Sequence, residues 1–169
     1  MSTQANRTNM KVLSKDFFGK NDAFKGAEYD SNGRRITLSR QWEPNKPVAQ
    51  VISHCPSTAS ANTEDMTTKR LRVILGNLGY GGYYLINAGI SFKRYIKRGQ
   101  IDTIIAWGAD VRKSKQTGKY RKSIKRRCTN IFQFCDQKRG SAEVMPTRLA
   151  NNTQLTKLRY LHKKFLPVV

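Results

Sequence analysis

The stretch 54–87, with the apolar run 48–52 that leads into it, constrains the fold of this chain more than any other. A polar loop follows the first apolar run, then a helical pattern, a glycine turn and a second apolar run that ends at Asn87. This order of strand, loop, helix and strand is typical of a parallel sheet. Ligands of such sheets bind at the carboxyl ends of the strands. We therefore expect any functional site to lie beside the polar loop and Asn87.

The helix within this stretch is predicted from its ends and from its periodicity. Residues 63–65, Thr-Glu-Asp, offer an N-cap and acidic side chains for the first turn. The apolar residues that follow at helical spacing are Leu71, Ile74, Leu75 and Leu78. Gly79 is predicted to end the helix, because glycine adopts the conformation that helix ends commonly require.

Other segments complete the predicted architecture. Alternation over 34–42 predicts an edge or hairpin strand, and the continuous apolar run 103–107 predicts a strand buried on both faces. A short basic helical segment is predicted at 91–98, a helix in the second half of 112–127, and a fourth strand at 130–134. The predicted fold class is α/β, a three-layer α/β/α domain with a mostly parallel sheet of four or five strands.

The predicted domain spans 33–150 and has a less regular segment on each side. Residues 1–32 are polar and without periodicity, which indicates an N-terminal arm. Residues 151–169 form a basic amphipathic C-terminal tail, in which Leu158, Leu161 and Phe165 mark the apolar side.

Positive charge dominates the composition and points to a polyanionic partner. Lys and Arg number 32 against 11 Asp and Glu, for a net charge of +21. That charge repels itself in the folded state, and bound RNA or DNA would relieve the repulsion. Tyr95, Tyr120 and Tyr160 lie among the basic runs and are suited to stacking on bases. The residues predicted to contact nucleic acid are Lys93, Arg94, Lys97, Arg98, Arg112, Lys113, Lys115, Lys119, Arg121, Lys122, Lys125, Arg126, Arg127, Lys157, Arg159, Lys163 and Lys164.

Several other classes of protein are disfavoured by the sequence. Residues 1–11 lack the apolar core of a signal peptide, and no apolar run approaches the ~20 residues of a membrane span. The 3 Cys and 2 His are not spaced as metal ligands, so we expect neither a metal nor another cofactor. We therefore predict an intracellular, cytoplasmic protein with reduced thiols and no membrane partner.

Short motifs occur in a fixed order over residues 34–150. They are Trp42, Pro56-Ser57-Thr58-Ala59, Asp65 with Thr67, Gly79-Tyr80-Gly81-Gly82, Asn87 and Ala106-Trp107-Gly108. This order resembles the bacterial and phage family catalogued as domain of unknown function 1643. It is more distantly similar to the uracil-DNA glycosylase superfamily, whose strands end in Asn and in Trp-Gly and whose late loop carries His-Pro. The resemblance implies a uracil-DNA glycosylase-like fold.

The resemblance also implies a ligand pocket. At three positions of the implied site this sequence differs from the pattern of the family. The implied pocket residues are Cys55, Pro56, Ser57, Thr58, Asn87, Trp107, Gly108, Met145 and Pro146. Cys55, Ser60 and Met145 stand where the family has Asn, Asp and His. Methionine cannot donate a proton, so leaving-group stabilisation would be weakened.

Ser57, Asp65 and Asn87 remain as catalytic candidates, and each has a structural alternative. Ser57 would cap a turn, Asp65 would cap the helix and Asn87 would bond loop amides. The glycine turn 79–82 has two explanations as well. Its amides could hold a phosphate, or it could simply end the helix and enter the strand.

Three functions stay open at the level of the sequence. The first is nucleic-acid binding, either free or within a ribonucleoprotein, by a glycosylase-like domain whose catalytic positions are eroded. The second is hydrolysis of the N-glycosidic bond of a nucleobase or nucleoside. The third is a scaffold or inhibitor that docks on an acidic protein surface, alone or in a larger complex. The departures at the site favour a protein that is not an enzyme.

Overall fold

The computed structural model describes residues 25–54, 58–89, 92–108, 115–135, 146, 149–161 and 164–168. Their strands are β1 (Lys25–Tyr29), β2 (Arg35–Gln41), β3 (Val48–Ser53), β4 (Gly82–Asn87), β5 (Thr103–Ile105), β6 (Ile131–Phe134), β7 (Leu155–Leu161) and β8 (Lys164–Pro167). The helices are α1 (Met66–Asn77), α2 (Thr117–Arg127) and a 3-10 helix at Phe92–Arg94. Among these described helices, none has the length and apolar character needed to cross a lipid bilayer.

The strands form one mixed sheet of 8 strands in the order β1-β2-β4-β3-β5-β6-β7-β8. The central strands β4, β3, β5 and β6 run parallel to one another. Antiparallel strands extend the sheet on both sides, with β2 and β1 beyond β4, and β7 and β8 beyond β6. The predicted α/β fold is confirmed, but the sheet is wider and more mixed than the four or five strands predicted.

Two separate hydrophobic cores lie on opposite faces of the central strands. Their members include Leu71, Ile74, Val51, Leu85 and Ile104 around α1, and Tyr120, Ile124, Ile52, Ile86 and Ile105 around α2. Neighbouring residues of a strand point to opposite faces of a sheet. The two helices therefore cover opposite faces, and the described residues form three layers.

Helix α1 has its predicted N-cap at Asp65 and ends before Gly79 as predicted, but the acidic side chains predicted for its first turn are absent from that turn, because Glu64 and Asp65 precede the helix. The Asp65 carboxylate accepts a hydrogen bond from the Thr68 amide at 2.9 Å, and the Thr68 hydroxyl accepts one from the Asp65 amide at 2.9 Å. This reciprocal capping box satisfies two backbone donors at the helix start. At the other end Gly79 has a φ of 90°. The Tyr80 amide then donates to the Leu75 carbonyl at 2.9 Å, which closes the helix.

The glycine turn after α1 is held by backbone contacts. The Gly81 carbonyl accepts from the amides of Trp42 and Glu43 at 2.8 and 3.0 Å, and the Gly81 amide donates to the Pro47 carbonyl at 2.8 Å. A Cβ at position 81 would lie 2.1 Å from the Glu43 oxygen. The turn also enters β4 at the opposite end from Asn87. These contacts favour the structural explanation of the turn over a phosphate cradle.

Strands β1, β7 and β8 extend the sheet into the segments predicted as arm and tail. β1 pairs antiparallel with β2 across the turn at 30–34, so of the two predicted alternatives the hairpin strand is confirmed and the edge strand is wrong, and β7 pairs with β6. In the predicted tail, Leu158 and Phe165 are buried whereas Leu161 is exposed. The physical reason is that Leu158 and Tyr160 alternate with Lys157 and Arg159, which is the period of a strand. Residues 1–24 of the predicted arm lie outside the described residues.

One edge of the described sheet is β8. The Val168 amide donates to the Lys157 carbonyl at 2.9 Å, and the next pair along the register is Leu158 with Pro167. Hydrogen-bonded and non-hydrogen-bonded pairs alternate along antiparallel strands. The backbone nitrogen of Pro167 therefore points away from β7, and proline has no N–H to offer there.

Candidate nucleic-acid interface and strand-end site

The register brings the ends of the parallel strands to one edge of the sheet. Ser53 of β3 pairs with Asn87 of β4, and the Ala106 amide, just after β5, donates to the Ile52 carbonyl at 2.8 Å. Asn87 and Trp107 consequently lie at this carboxyl edge, as the order of elements predicts. The edge is where a ligand of an α/β sheet is expected.

The implied pocket residues are only partly within the described structure. Thr58 is exposed, whereas Trp107, Gly108 and Pro146 are buried. Cys55, Pro56, Ser57 and Met145 lie outside the described residues.

Asn87 carries, at the carboxyl edge, an acceptor that no described residue satisfies. Its Nδ2 donates to the Arg35 carbonyl at 3.1 Å and to the Ile36 carbonyl at 3.5 Å, which fixes the amide because only the NH₂ group can donate. The residue is 6% exposed, and its Oδ1 has no hydrogen-bond partner among the described residues. Leaving a buried acceptor unpaired costs roughly 1–3 kcal/mol. The Oδ1 atom is therefore suited to accept a hydrogen bond from a ligand.

Two buried arginines of β2 hold the polar loop that precedes α1, and sequence reasoning missed both. Arg35 and Arg40 are 5% and 3% exposed. Arg35 donates to the Ala59 carbonyl, and Arg40 donates to the Ser60 carbonyl and lies 3.7 Å from the Glu64 carboxylate. Burial lowers the pKa of the Arg35 guanidinium below its usual value. These contacts position the loop against the sheet.

A bulge explains why both arginines face the same loop. The register of β1 and β2 shifts by one residue at Ile36. Such a bulge reverses the alternation of side chains, which places Arg35 on the same side as Arg40. Burial was predictable from the sequence for Arg40 alone, since Arg40 comes two residues after Leu38 and so lies on the same face of the predicted strand.

Asp65 is engaged at the start of α1 through its capping bond with Thr68. The capping alternative proposed for Asp65 from the sequence is therefore realised in the structure.

Exposed cations gather on the side of the sheet that α2 covers. We call this set the basic face, and its members are Lys93, Arg94, Lys97, Arg98, Lys115, Lys119, Lys122, Lys125 and Arg126. The segments 92–98 and 115–127 share this side because Phe92, Ile96 and Ile124 belong to the same core. Arg121 and Arg127 of α2 are half-buried.

The ion pairs of the described residues lie away from the basic face. The ion pairs within the described residues are Arg34–Asp30, Arg40–Glu64 and Lys46–Glu43. All of them lie between residues 30 and 64, on or beside β1, β2 and the loops around them. The segments 92–98 and 115–135 contain no Asp or Glu. Within the described parts of the chain, the cations of the basic face therefore have no carboxylate partner.

The remaining predicted nucleic-acid contacts are not all brought together. Lys157, Arg159 and Lys164 are exposed. Leu158 and Phe165 belong to the α2 core, so the alternating cations of the hairpin point to the other side of the sheet. Arg112, Lys113 and Lys163 lie outside the described residues.

A crevice of about 370 Å³ opens where the basic face meets the carboxyl edge. Its lining residues are Gly89, Phe92, Lys93, Gln116, Lys119 and Tyr120. The rings of Phe92 and Tyr120 meet edge to face with centroids 4.9 Å apart, and the Tyr120 hydroxyl donates to Gln116 Oε1 at 2.7 Å. Sequence reasoning missed the crevice because its walls come from segments more than twenty residues apart in the chain.

Residues 35–98 match the family model described as a protein of unknown function, DUF1643. The matched segment includes the polar loop, α1, the glycine turn and Asn87. No curated protein and no solved structure matches the chain. The resemblance to DUF1643 is thereby confirmed over this segment, and the resemblance to uracil-DNA glycosylases stays a prediction.

Proposed function

We propose that this chain is a nucleic-acid-binding protein that holds DNA or RNA on its basic face. One observation carries the proposal: nine exposed Lys and Arg side chains share one side of the sheet, and the described segments that bear them contain no carboxylate. Opposite charges relieve the self-repulsion of such a surface. The phosphate backbone of a nucleic acid supplies them in a regular row.

The geometry of α2 fits a phosphate backbone. Lys119, Lys122 and Arg126 are separated by three and four residues, so they form one stripe along the helix, and Lys115 lies in the turn just before it. At 1.5 Å of rise per residue the helical stripe is about 10 Å long. A duplex presents one charge for every ~1.7 Å of its axis. The stripe is therefore long enough to contact several phosphates at once.

The proposal predicts binding that depends steeply on salt. Each phosphate that is neutralised adds about 0.9 to the slope of log K against log salt on duplex DNA, and about 0.7 on single strands. Fluorescence anisotropy with labelled duplex DNA, single-stranded DNA and RNA, from about 50 to about 200 mM salt, measures this slope. Affinity that does not change over this range would contradict the proposal.

A second candidate function is hydrolysis of an N-glycosidic bond at the carboxyl edge. It is favoured by one observation, the buried Asn87 Oδ1 that has no partner among the described residues. In the proposed glycosylase-like pocket, this acceptor would bond a donor on the base edge. The candidate ranks second because Cys55, Ser60 and Met145 replace the residues expected to activate water and to stabilise the departing base.

For this reason we expect no base release by the protein. The assay incubates it with uracil- and hypoxanthine-containing DNA and RNA, followed by alkaline cleavage or chromatography of the free base. Base release that falls by about 10²–10³ in Asn87→Ala would contradict the expectation and make the hydrolase the first candidate. The thermal midpoint of Asn87→Ala serves as the control for folding, because Asn87 also bonds the backbone of β2.

A further inference from the structure

We infer that the crevice between the 3-10 helix and α2 binds a phosphate monoester, either the terminal phosphate of a nucleic-acid strand or that of a free mononucleotide. The inference rests on the proposed function, since the basic face would hold the strand whose end enters the crevice. It adds a site that reads a strand terminus rather than its interior.

The positive charge of the crevice indicates an anionic ligand. Lys93 on the 3-10 helix and Lys119 on α2 come from separate parts of the chain, and both line the crevice. None of the lining residues is acidic. A phosphate monoester carries a charge of about −1.5 to −2 at pH 7, whereas an internal phosphodiester carries one negative charge. Two ammonium groups at one recess therefore favour the monoester over the diester.

The size and position of the crevice suit a single nucleotide. A volume of about 370 Å³ is at the lower end of the range of small-ligand sites, which suits one nucleotide and not a duplex. Gly89 comes two residues after the end of β4, so the crevice lies at the carboxyl edge of the sheet. Phe92 and Tyr120 are buried beneath the recess, at 1% and 9% exposed, so they form its floor and leave the contact with the phosphate to the two lysines.

Gly89 offers a way to close the crevice without removing a charge. A Cβ at position 89 would meet no atom within 4 Å, and its φ is not positive, so a side chain is tolerated there. Gly89→Trp should fill the recess, and Gly89→Ala is the matched control that leaves it open. Lys93→Met with Lys119→Met is a second variant that removes the two cations and keeps the shape.

The experiment compares the affinity of the full chain for one oligonucleotide carrying a 5′-phosphate, a 3′-phosphate or hydroxyl groups at both ends. We expect the wild type and Gly89→Ala to prefer a phosphorylated end by about tenfold. We expect Gly89→Trp and the double Lys variant to lose this preference, and Gly89→Trp to bind the hydroxyl-ended strand normally. Competition by nucleoside monophosphates shows whether a free mononucleotide suffices.

The outcomes separate this inference from the proposed function. Equal affinity of the wild type for all three oligonucleotides, without competition by a mononucleotide, overturns the inference and leaves the basic face standing. A preference that survives in Gly89→Trp also overturns it. Mononucleotide binding that is lost in Gly89→Trp, in a protein that binds no oligonucleotide, supports the crevice and contradicts the proposed function.

Discussion

Replacement of Lys115, Lys122, Lys125 and Arg126 by Ala in one variant should weaken binding to DNA and RNA about 100-fold near 100 mM salt. All four side chains are exposed on the basic face, and Lys119 is kept because it lines the crevice. Loss of four phosphate contacts would also lower the salt slope on duplex DNA by up to about 3.6, at 0.9 for each contact. Anisotropy titrations at several salt concentrations measure both effects.

A matched variant distinguishes the basic face from net charge. Arg34, Lys46, Lys69 and Arg72 are exposed and lie outside the basic face. Their replacement by Ala removes the same four charges from the total of +21. We expect this control to bind within a few-fold of the wild type, because exposed charges beyond about 10 Å are screened at 0.1 M salt. Equal losses in the two variants would refute a localised site.

Gly81→Ala should lower the free energy of unfolding by about 3 kcal/mol, the largest single-residue effect that we expect in this fold. The added Cβ would lie 2.1 Å from the Glu43 oxygen and 2.7 Å from the Lys46 Cβ. Backbone atoms on both sides must shift to relieve this contact. A shift would stretch the hydrogen bonds from the Trp42 and Glu43 amides to the Gly81 carbonyl. Urea denaturation gives the loss as a lower midpoint with an unchanged slope.

Gly89→Ala is the control for this prediction too. Position 89 is open, so the same added methyl group should change stability by less than about 0.5 kcal/mol. Gly81→Ala with wild-type stability would show that the turn adapts easily, and would contradict the constraint inferred from its backbone contacts.

The centre of the fold was predictable because local signals there agree with tertiary packing. The apolar runs 48–52 and 103–107 are buried on both faces, as strands β3 and β5 require. Asp65 and Gly79 mark the ends of α1 through capping chemistry that needs no knowledge of the rest of the chain. The position of Asn87 at the carboxyl edge follows from the order of elements alone.

The edges of the sheet were not predictable in the same way. β1 has the sequence Lys-Gly-Ala-Glu-Tyr, which carries little apolar signal and is a strand because β2 pairs with it. In β7 and β8 the spacing of Leu158, Leu161 and Phe165 suggested one amphipathic side. Strand alternation overrode that spacing, so Leu161 became exposed.

The candidate site was predictable only for residues such as Asn87, whose position follows from the order of strands and helices along the chain. The buried Arg35 and Arg40 escaped prediction because a charged residue in a strand normally indicates solvent, and the carbonyls that bond them belong to a loop about twenty residues away. The crevice escaped because Lys93 and Lys119 meet only after the sheet has formed. Local patterns therefore predicted the strands and helices of the centre, whereas the candidate site depends on contacts between residues that are distant in sequence.

The proline at the end of β8 affects how copies of this chain can associate at high concentration. An open sheet can recruit the edge strand of another molecule and grow by edge-to-edge association. A strand arriving at β8 would find no amide donor at Pro167 and would have to approach the exposed Lys164. The backbone at Pro167 therefore interrupts the row of donors that an incoming strand would need, which disfavours growth of the sheet at the β8 edge.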